Sequence, residues 1–545
     1  MSFSESQDLE TATTAIQSQP DNKTRRYDRQ LRLWAASGQS ALERARVLVI
    51  SASALSTSLL KNLVLPGVGH FTILDHHATR PSDIGNNFFL DPDASLGRNR
   101  AEEAVRLLGE LNDGVEGHAD TRDIADVLAL GAEYFSGFTL VIAVNLDPSL
   151  VEQLSTLLWQ DAACPPLIVV RSAGFIAEFF VQFHEHDVIE SHSETAPSLR
   201  IDKPFPELLD HALQLDLEHM DPTDHGHIPY VVILVRALED WKREHGGSPP
   251  TTTADKRAFK DAVSALQRHQ DEENFSEAVA NAYRAYTTTG VPSNVQALFD
   301  ALPDQLSPAR PFATLVAALQ EFTKQPPYAL PLSATLPDMK SDTESYVALQ
   351  KMYGRRAEKE RGVFRELVNK LSAETGSVIA RDVVDLFCKN AHGLFGLQGK
   401  RWGDLDTSRE RLVELLAASP RETATHLALS ALSTWLARHS VAHAQSNGSA
   451  HPNSQTSNTE LRPTEEDLLA LVQGALGDGV ELGKEVQDAV GEAARAPTAD
   501  LPNVAAFMGG LVAQEAIKMI TKQYVPINGH CVIDLVDTWT GVINA

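Results

Sequence analysis

From Arg46 to Val170 two hydrophobic rhythms take turns. Short apolar runs, VLVI at 47–50, HFTILD at 70–75, FTLVIAVN at 138–145 and PLIVVR at 166–171, alternate with stretches in which apolar residues recur every three or four positions. The latter are LSTSLLKNLVLPG at 55–67, GRNRAEEAVRLLGELN at 97–112 and SLVEQLSTLLWQDA at 149–162. Buried runs of four to six residues separated by amphipathic helices predict a parallel sheet covered on both faces, a Rossmann-like α/β unit. Between about 205 and 490 the rhythm is helical only. Segments such as IPYVVILVRALEDWKRE (228–244), DKRAFKDAVSALQRHQ (255–270), NFSEAVANAYRAY (274–286), YVALQKMYGRRAEKERGVFRELVNKLS (346–372) and RERLVELLAA (409–418) are divided by Pro- and Gly-bearing turns. The last 50 residues return to the first style, with a helix VAAFMGGLVAQEAIKMIT behind DLPN and a strand HCVIDLVD.

This order predicts a discontinuous α/β domain, residues 25–172 and 495–545, interrupted by a mainly helical insertion over 173–494. A chain of 545 residues exceeds what one core organises, which agrees with such a division. Residues 1–24 and the stretch HAQSNGSAHPNSQTSNTELRPTEED at 443–467 contain too little apolar surface to offset the entropy of ordering, and are expected to be disordered. No repeat of fixed period is present.

Charge narrows the function classes. Forty-seven basic against 73 acidic side chains leave a net charge of −26, which repels nucleic acid and anionic membrane surfaces. The three cysteines, Cys164, Cys388 and Cys531, are widely separated, so neither a disulfide framework nor a cysteine-bound zinc is expected, and a reducing compartment, cytoplasm or nucleus, suits them. No signal peptide or run of 18 uninterrupted apolar residues is visible, and a soluble protein is expected.

The turn after the first strand carries the main chemical question. In nucleotide-binding folds glycines there permit a tight turn and let backbone N–H groups approach phosphate. Here the turn reads Ser51, Ala52, Ser53, Ala54, Leu55, Ser56. Side chains, Leu55 above all, stand where the cradle would be, and φ > 0 becomes costly, so a serine-capped strand-to-helix turn is expected instead of a phosphate site. Asp75 ends the second strand at the distance of a ribose-binding carboxylate, and a turn cap is the competing reading.

RYDRQLRLW (26–34), NLVLPGVGHFTILD (62–75), IGNNFFL (84–90), LGRNRAEEAV (96–105) and the C-terminal 504–534 together resemble the ThiF-type adenylation domain of ubiquitin-like-protein activating enzymes. LRIDKPFPELLDH (199–211) and LPDMKSDTESYVALQKMY (336–353) look like the long regulatory subunit of the heterodimeric activating enzyme of neddylation. The resemblance implies an inactive adenylation domain with a catalytic-cysteine-domain-like insertion that lacks the cysteine. Asn86 and Asn87 stand in place of an Arg-Gln pair, Arg100 in place of a lysine, and Val144 in place of the first acid of an Asp-x-x-Asp pair whose second member, Asp147, survives. Without those groups triphosphate charge and magnesium are not held. Asp147 precedes a proline and also reads as a turn residue.

The same resemblance implies that this chain binds no cofactor itself, and that ATP and magnesium sit in a catalytic partner subunit whose triphosphate Arg29 reaches across the dimer interface. A guanidinium suits charge developing on departing pyrophosphate. The competing reading pairs Arg29 with a neighbouring acid on a helix whose Tyr27, Leu31 and Trp34 form an apolar stripe, and Arg26 is a possible substitute. The pair would adenylate a ubiquitin-like modifier, pass it to the partner's cysteine, and then to a conjugating enzyme. An inactive subunit of the sumoylation activator, an autonomous adenylating enzyme and a pure scaffold are the rival expectations.

The three cysteines read as buried or structural rather than nucleophilic. His184, His186 and His192 read as polar surface residues rather than metal ligands, and no metal site is expected. Gly509 and Gly510 would let the last long helix pack closely.

Overall fold

The computed structural model describes residues 22–191, 198–446 and 462–544. The segments 1–21 and 447–461, within which most of both stretches expected to be disordered fall, lie outside the described residues, as does His192. Residues 22–24 begin a helix, Asn22–Arg44, and 443–446 end another, Pro420–Ser446, so at those margins helix replaces the expected disorder.

The described chain divides into two compact units: one from the N-terminus to His186 together with Leu397 onwards, the other Asp187–Gly396. The first contains an eight-stranded sheet. Its strands are β1 (Arg46–Ile50), β2 (His70–Leu74), β3 (Glu116–Asp120), β4 (Leu140–Val144), β5 (Leu167–Ala173) and β6 (Ile176–Gln182). β7 (Glu185–Val188) and β8 (Phe395–Gln398) form a separate ribbon where the chain departs and returns, and β9 (His530–Asp534) and β10 (Trp539–Ile543) complete the sheet. The sheet order is β10-β9-β6-β5-β4-β1-β2-β3. The β3-to-β5 half is parallel and the β6, β9 and β10 half antiparallel, so the sheet is mixed rather than parallel. β3 (EGHAD) and β10 lie at the edges with only one of five side chains fully buried in each, and accordingly carry no continuous apolar run.

On one face Leu55, Leu59 and Leu63 of the helix Ala54–Val64 and Met508, Val512 and Ala516 of the helix Pro502–Thr521 bury against β1, β4 and β6. The approach is close: a Cβ on Gly509 would lie 2.8 Å from the Leu59 nitrogen, whereas Gly510 faces open space. Pro502–Thr521 is long and apolar enough to cross a membrane by length and composition, but its apolar side is consumed by this packing. On the other face the helix Pro148–Trp159 covers Leu48, Val141 and Val169.

Two boundaries differ from those the rhythm predicts. β6 continues the sheet past 172, and the helices 409–495, expected inside the insertion, pack on the sheet through Leu427, Ala431, Val490, Ala173, Ile176 and Val532. Only 187–396 forms the separate helical unit. The unit has its own cores, one around Tyr230–Trp241, Phe259 and Tyr353, the other around Phe299, Leu319, Phe364 and Phe387. Its long helix Thr343–Thr375 is capped by Asp342 and ends at Gly376 with φ 76°. Inside it Arg200 donates both terminal nitrogens to Glu360 at 2.7 Å and one to the Leu330 carbonyl at 2.6 Å, so the buried charges are paired.

Candidate functional site

The turn between β1 and the helix Ala54–Val64 keeps the backbone of a glycine turn without the glycine. Ser51 takes φ 90°, a step L residues rarely adopt. Ser53 caps the helix by accepting from the Ser56 N–H at 3.2 Å, and Leu55 is fully buried. The first N–H groups, which would meet phosphate in a nucleotide-binding fold, are taken by the chain's own carboxylates. Ala52 N–H donates to Asp75 at 2.8 Å and Ala54 N–H to Asp500 at 2.6 Å. Negative side chains therefore occupy the helix N-terminus that otherwise attracts an anion.

Asp75 is held tightly. Burial pushes its pKa up, but the hydrogen bond from His77 and the charge of Arg100 outweigh burial and bring it down to about 2. Arg100, in the position of the resembling family's lysine, donates to Asp75 at 2.6 and 3.0 Å and faces Asp83 at 3.4 Å. Asp500 lies the other way, its pKa raised by burial. Asn87 closes the back of the turn: its amide donates to the Ala52 carbonyl at 3.2 Å and its oxygen accepts from Thr57 at 2.8 Å. Val144 belongs to the core, and Asp147 caps the helix Pro148–Trp159 through the Ser149 N–H at 2.9 Å. These positions are thus engaged in local structure, whereas the half-buried Asn86 makes only a backbone contact, its N–H to the Asp83 carbonyl at 3.4 Å, among the described residues.

Arg29 differs. Its helix bends at Trp34 and Ala35, where Ala35 has φ 54°. Tyr27 and Trp34 are buried and Leu31 half-buried, so the predicted stripe faces the protein. The stripe is anchored at Gly67, φ 88°, where a Cβ would lie 2.6 Å from the Tyr27 hydroxyl oxygen. Of the helix's arginines before the bend, Arg26 pairs with Asp113 at 2.8 Å and Arg32 with Asp28 at 3.0 Å. Arg29 and Arg25 are exposed and, among the described residues, make no hydrogen bond or ion pair. Asp28, the acid beside Arg29, is matched to Arg32 instead.

No cysteine has the environment of a nucleophile. Burial pushes the thiols of Cys388 and Cys531 up to about 12, and burial also raises Cys164. His184 is half-buried and stacks on Trp159 at 4.1 Å, while His186 is buried and its pKa falls to about 4 through desolvation, so the surface reading of these two is replaced by a packed one.

A buried polar cluster escaped the sequence pattern. Glu178 of β6 accepts from Arg171 and lies 2.9 Å from His426 Nδ1; His426 Nε2 lies 3.1 Å from Asp406. Burial lowers the His426 pKa, but the two carboxylates outweigh it and hold the imidazole protonated, its pKa pushed up to about 9. Glu178, His426 and His530 have a metal-like proximity, their ligand atoms all within 4.8 Å of one another. An imidazolium with a carboxylate at each nitrogen has no lone pair for a metal, so as arranged the cluster is an ion-pair network. Its members come from β5, β6, β9, residue 406 and the helix Pro420–Ser446, and only Arg171 and Glu178, opposite each other in the β5–β6 hairpin, are near in sequence.

The ThiF family model matches residues 27–148. Over 93% of this chain and 96% of its own length, the NEDD8-activating enzyme E1 regulatory subunit of Xenopus laevis is 35% identical. The protein of the same name from Danio rerio is 35% identical over the same shares. The NEDD8-activating enzyme E1 regulatory subunit AXL of Arabidopsis thaliana is 33% identical, over 94% of this chain and 97% of its own.

Proposed function

This chain belongs to the family of NEDD8-activating enzyme E1 regulatory subunits, and from that premise we propose that it acts by pairing with a catalytic subunit and lending Arg29 to that subunit's ATP site. The observation that carries the reading is a contrast on one helix: Arg26 and Arg32 are tied to acids, whereas Arg29, like Arg25, is exposed and uncommitted, and of these two only Arg29 falls within the ThiF match over 27–148. An arginine reserved in this way can offset charge on the departing pyrophosphate when a modifier's carboxylate attacks the α-phosphate of ATP. Supplying it from a second chain makes adenylation conditional on assembly. The carboxylates of Asp75 and Asp500 over the chain's own turn support placing ATP and magnesium in the partner. The high thiol pKa values of Cys388 and Cys531 support placing the thioester there as well, before transfer to a conjugating enzyme in cytoplasm or nucleus.

The test is modifier-dependent exchange of radiolabelled pyrophosphate into ATP by the reconstituted pair. Arg29→Ala is expected to slow exchange by about two orders of magnitude or more with co-elution of the subunits unchanged. Arg25→Ala is the control, with exchange close to wild type. An undiminished rate for Arg29→Ala refutes the trans-arginine role, and exchange by the isolated chain refutes the division of labour.

A further inference from the structure

Beyond the pairing role, the sheet-containing unit holds a cavity of about 880 Å³ that the adenylation reading does not use. It opens beyond the carboxyl end of β4, against Val169–Arg171 of β5, and is walled by the first turns of the helix Pro148–Trp159 and by one face of the helix Pro420–Ser446. This volume lies within the range of small-molecule sites. The turn that carries Asp75 and Asp500 is not part of it.

Its chemistry is unlike the rest of the protein. The charged residues lining it are three arginines, Arg171, Arg401 and Arg438, and two acids, Glu152 and Asp406; because Glu178 pairs with Arg171 and Asp404 pairs with Arg401, Arg438 is, among the described residues, the uncompensated positive charge at this cavity in a chain of net charge −26. The acids are already matched: Glu152 accepts from Arg401 at 2.6 Å, and Asp406 accepts from Ser430 at 2.9 Å and faces His426 at 3.1 Å. Arg438 is exposed and makes no ion pair among the described residues. Arg171 is pre-oriented. Its Nε bonds Glu178, its terminal nitrogens donate to Ser430 at 2.7 Å and Ser433 at 3.2 Å, and the guanidinium lies 4.9 Å from the Trp402 ring centroid. Five N–H groups are not exhausted by these bonds. Apolar side chains, among them Val151, Leu427 and Leu471, supply the remaining walls.

We propose that this cavity binds a small organic anion, an apolar or aromatic body bearing one carboxylate or phosphate, with the acid group between Arg438 and Arg171 and the body on the apolar wall. Guanidinium groups suit both head groups because both accept paired N–H bonds. The unpaired guanidinium of Arg438 also selects the anion over its neutral analogue.

The experiment titrates the full chain, in complex with its catalytic subunit, with 8-anilinonaphthalene-1-sulfonate, a fluorescent aromatic anion of the proposed class. One saturable site is expected. Arg438→Glu, at an exposed position, should weaken binding about tenfold or more. Ala437→Trp, which fills the cavity, should abolish it, with circular dichroism and melting temperature showing that the fold is kept. Benzoate and benzyl phosphate should each displace the dye, which distinguishes the two head groups by their relative potency, and benzyl alcohol should not. Dye binding that never saturates, or that both variants leave unchanged, overturns the proposal. So does equal displacement by benzyl alcohol, or displacement by an acidic peptide such as octaglutamate alone.

Discussion

A carboxylate standing where a phosphate would stand both ties the helix N-terminus and repels the ligand. Asp500 does this for Ala54 from a position 446 residues away in the chain. Asp500→Ala is expected to cost about 1–2 kcal/mol, the worth of a lost helix cap, read as a lower urea midpoint at unchanged slope. The buried histidine makes a second residue-scale prediction. The His426 pKa is raised to about 9 by Glu178 and Asp406, above the roughly 6.5 of an unfolded histidine. Its contribution to stability is therefore complete below pH 6.5 and is lost as pH rises through about 9. Melting temperature should fall between pH 6.5 and 9.5, and His426→Gln should flatten that slope; a slope unchanged in the variant assigns it to another group. The absent glycines of residues 51–56 were legible in the sequence, and so was Asp147 as a turn residue. Asp500 over Ala54 and His426 beside Glu178 were not, because each contact joins residues that only the folded chain brings together.

Elements were more legible than their neighbours. The period of RERLVELLAA marks a helix correctly, but a period of 3.6 records that one face is buried and not what buries it, so the helices 409–495 seemed to belong with the insertion when they cover β5, β6 and β9. β3 and β10 were missed for the converse reason: as edge strands they bury too little to show an apolar run. The helix pair Ala54–Val64 and Pro502–Thr521 offers a test with an internal control. Gly509→Ala places a methyl 2.8 Å from the Leu59 backbone nitrogen, which demands that a core helix move, and should destabilise by about 1–3 kcal/mol. One residue on, Gly510→Ala meets nothing within 4 Å and removes a flexible helical glycine, so it should stabilise by up to about 1 kcal/mol. Urea titration of both variants checks the pair, and equal effects would mean that helix propensity, not interhelical distance, sets the requirement.

At the scale of the whole chain, the separate cores make the helical unit removable. Residues 187–396 bury Tyr230–Trp241, Phe259, Phe364 and Phe387 among themselves, while the sheet and its flanking helices bury a different set. The sheet-containing unit also holds the exit and return of the chain together, since the Gly399 N–H donates to the His184 carbonyl at 2.9 Å. Joining His186 to Leu397 by a short glycine–serine linker thus closes a loop whose ends are already neighbours, and loop entropy rises only slowly with length, so shortening this connection changes stability little. The shortened chain is expected to unfold in one cooperative urea transition, with a slope reduced in proportion to the surface removed. It should also still co-elute with the catalytic subunit if Arg29 marks the pairing surface. A broad, non-cooperative transition would show instead that the sheet depends on residues 187–396, and that the division into two cores does not carry over into two folding units.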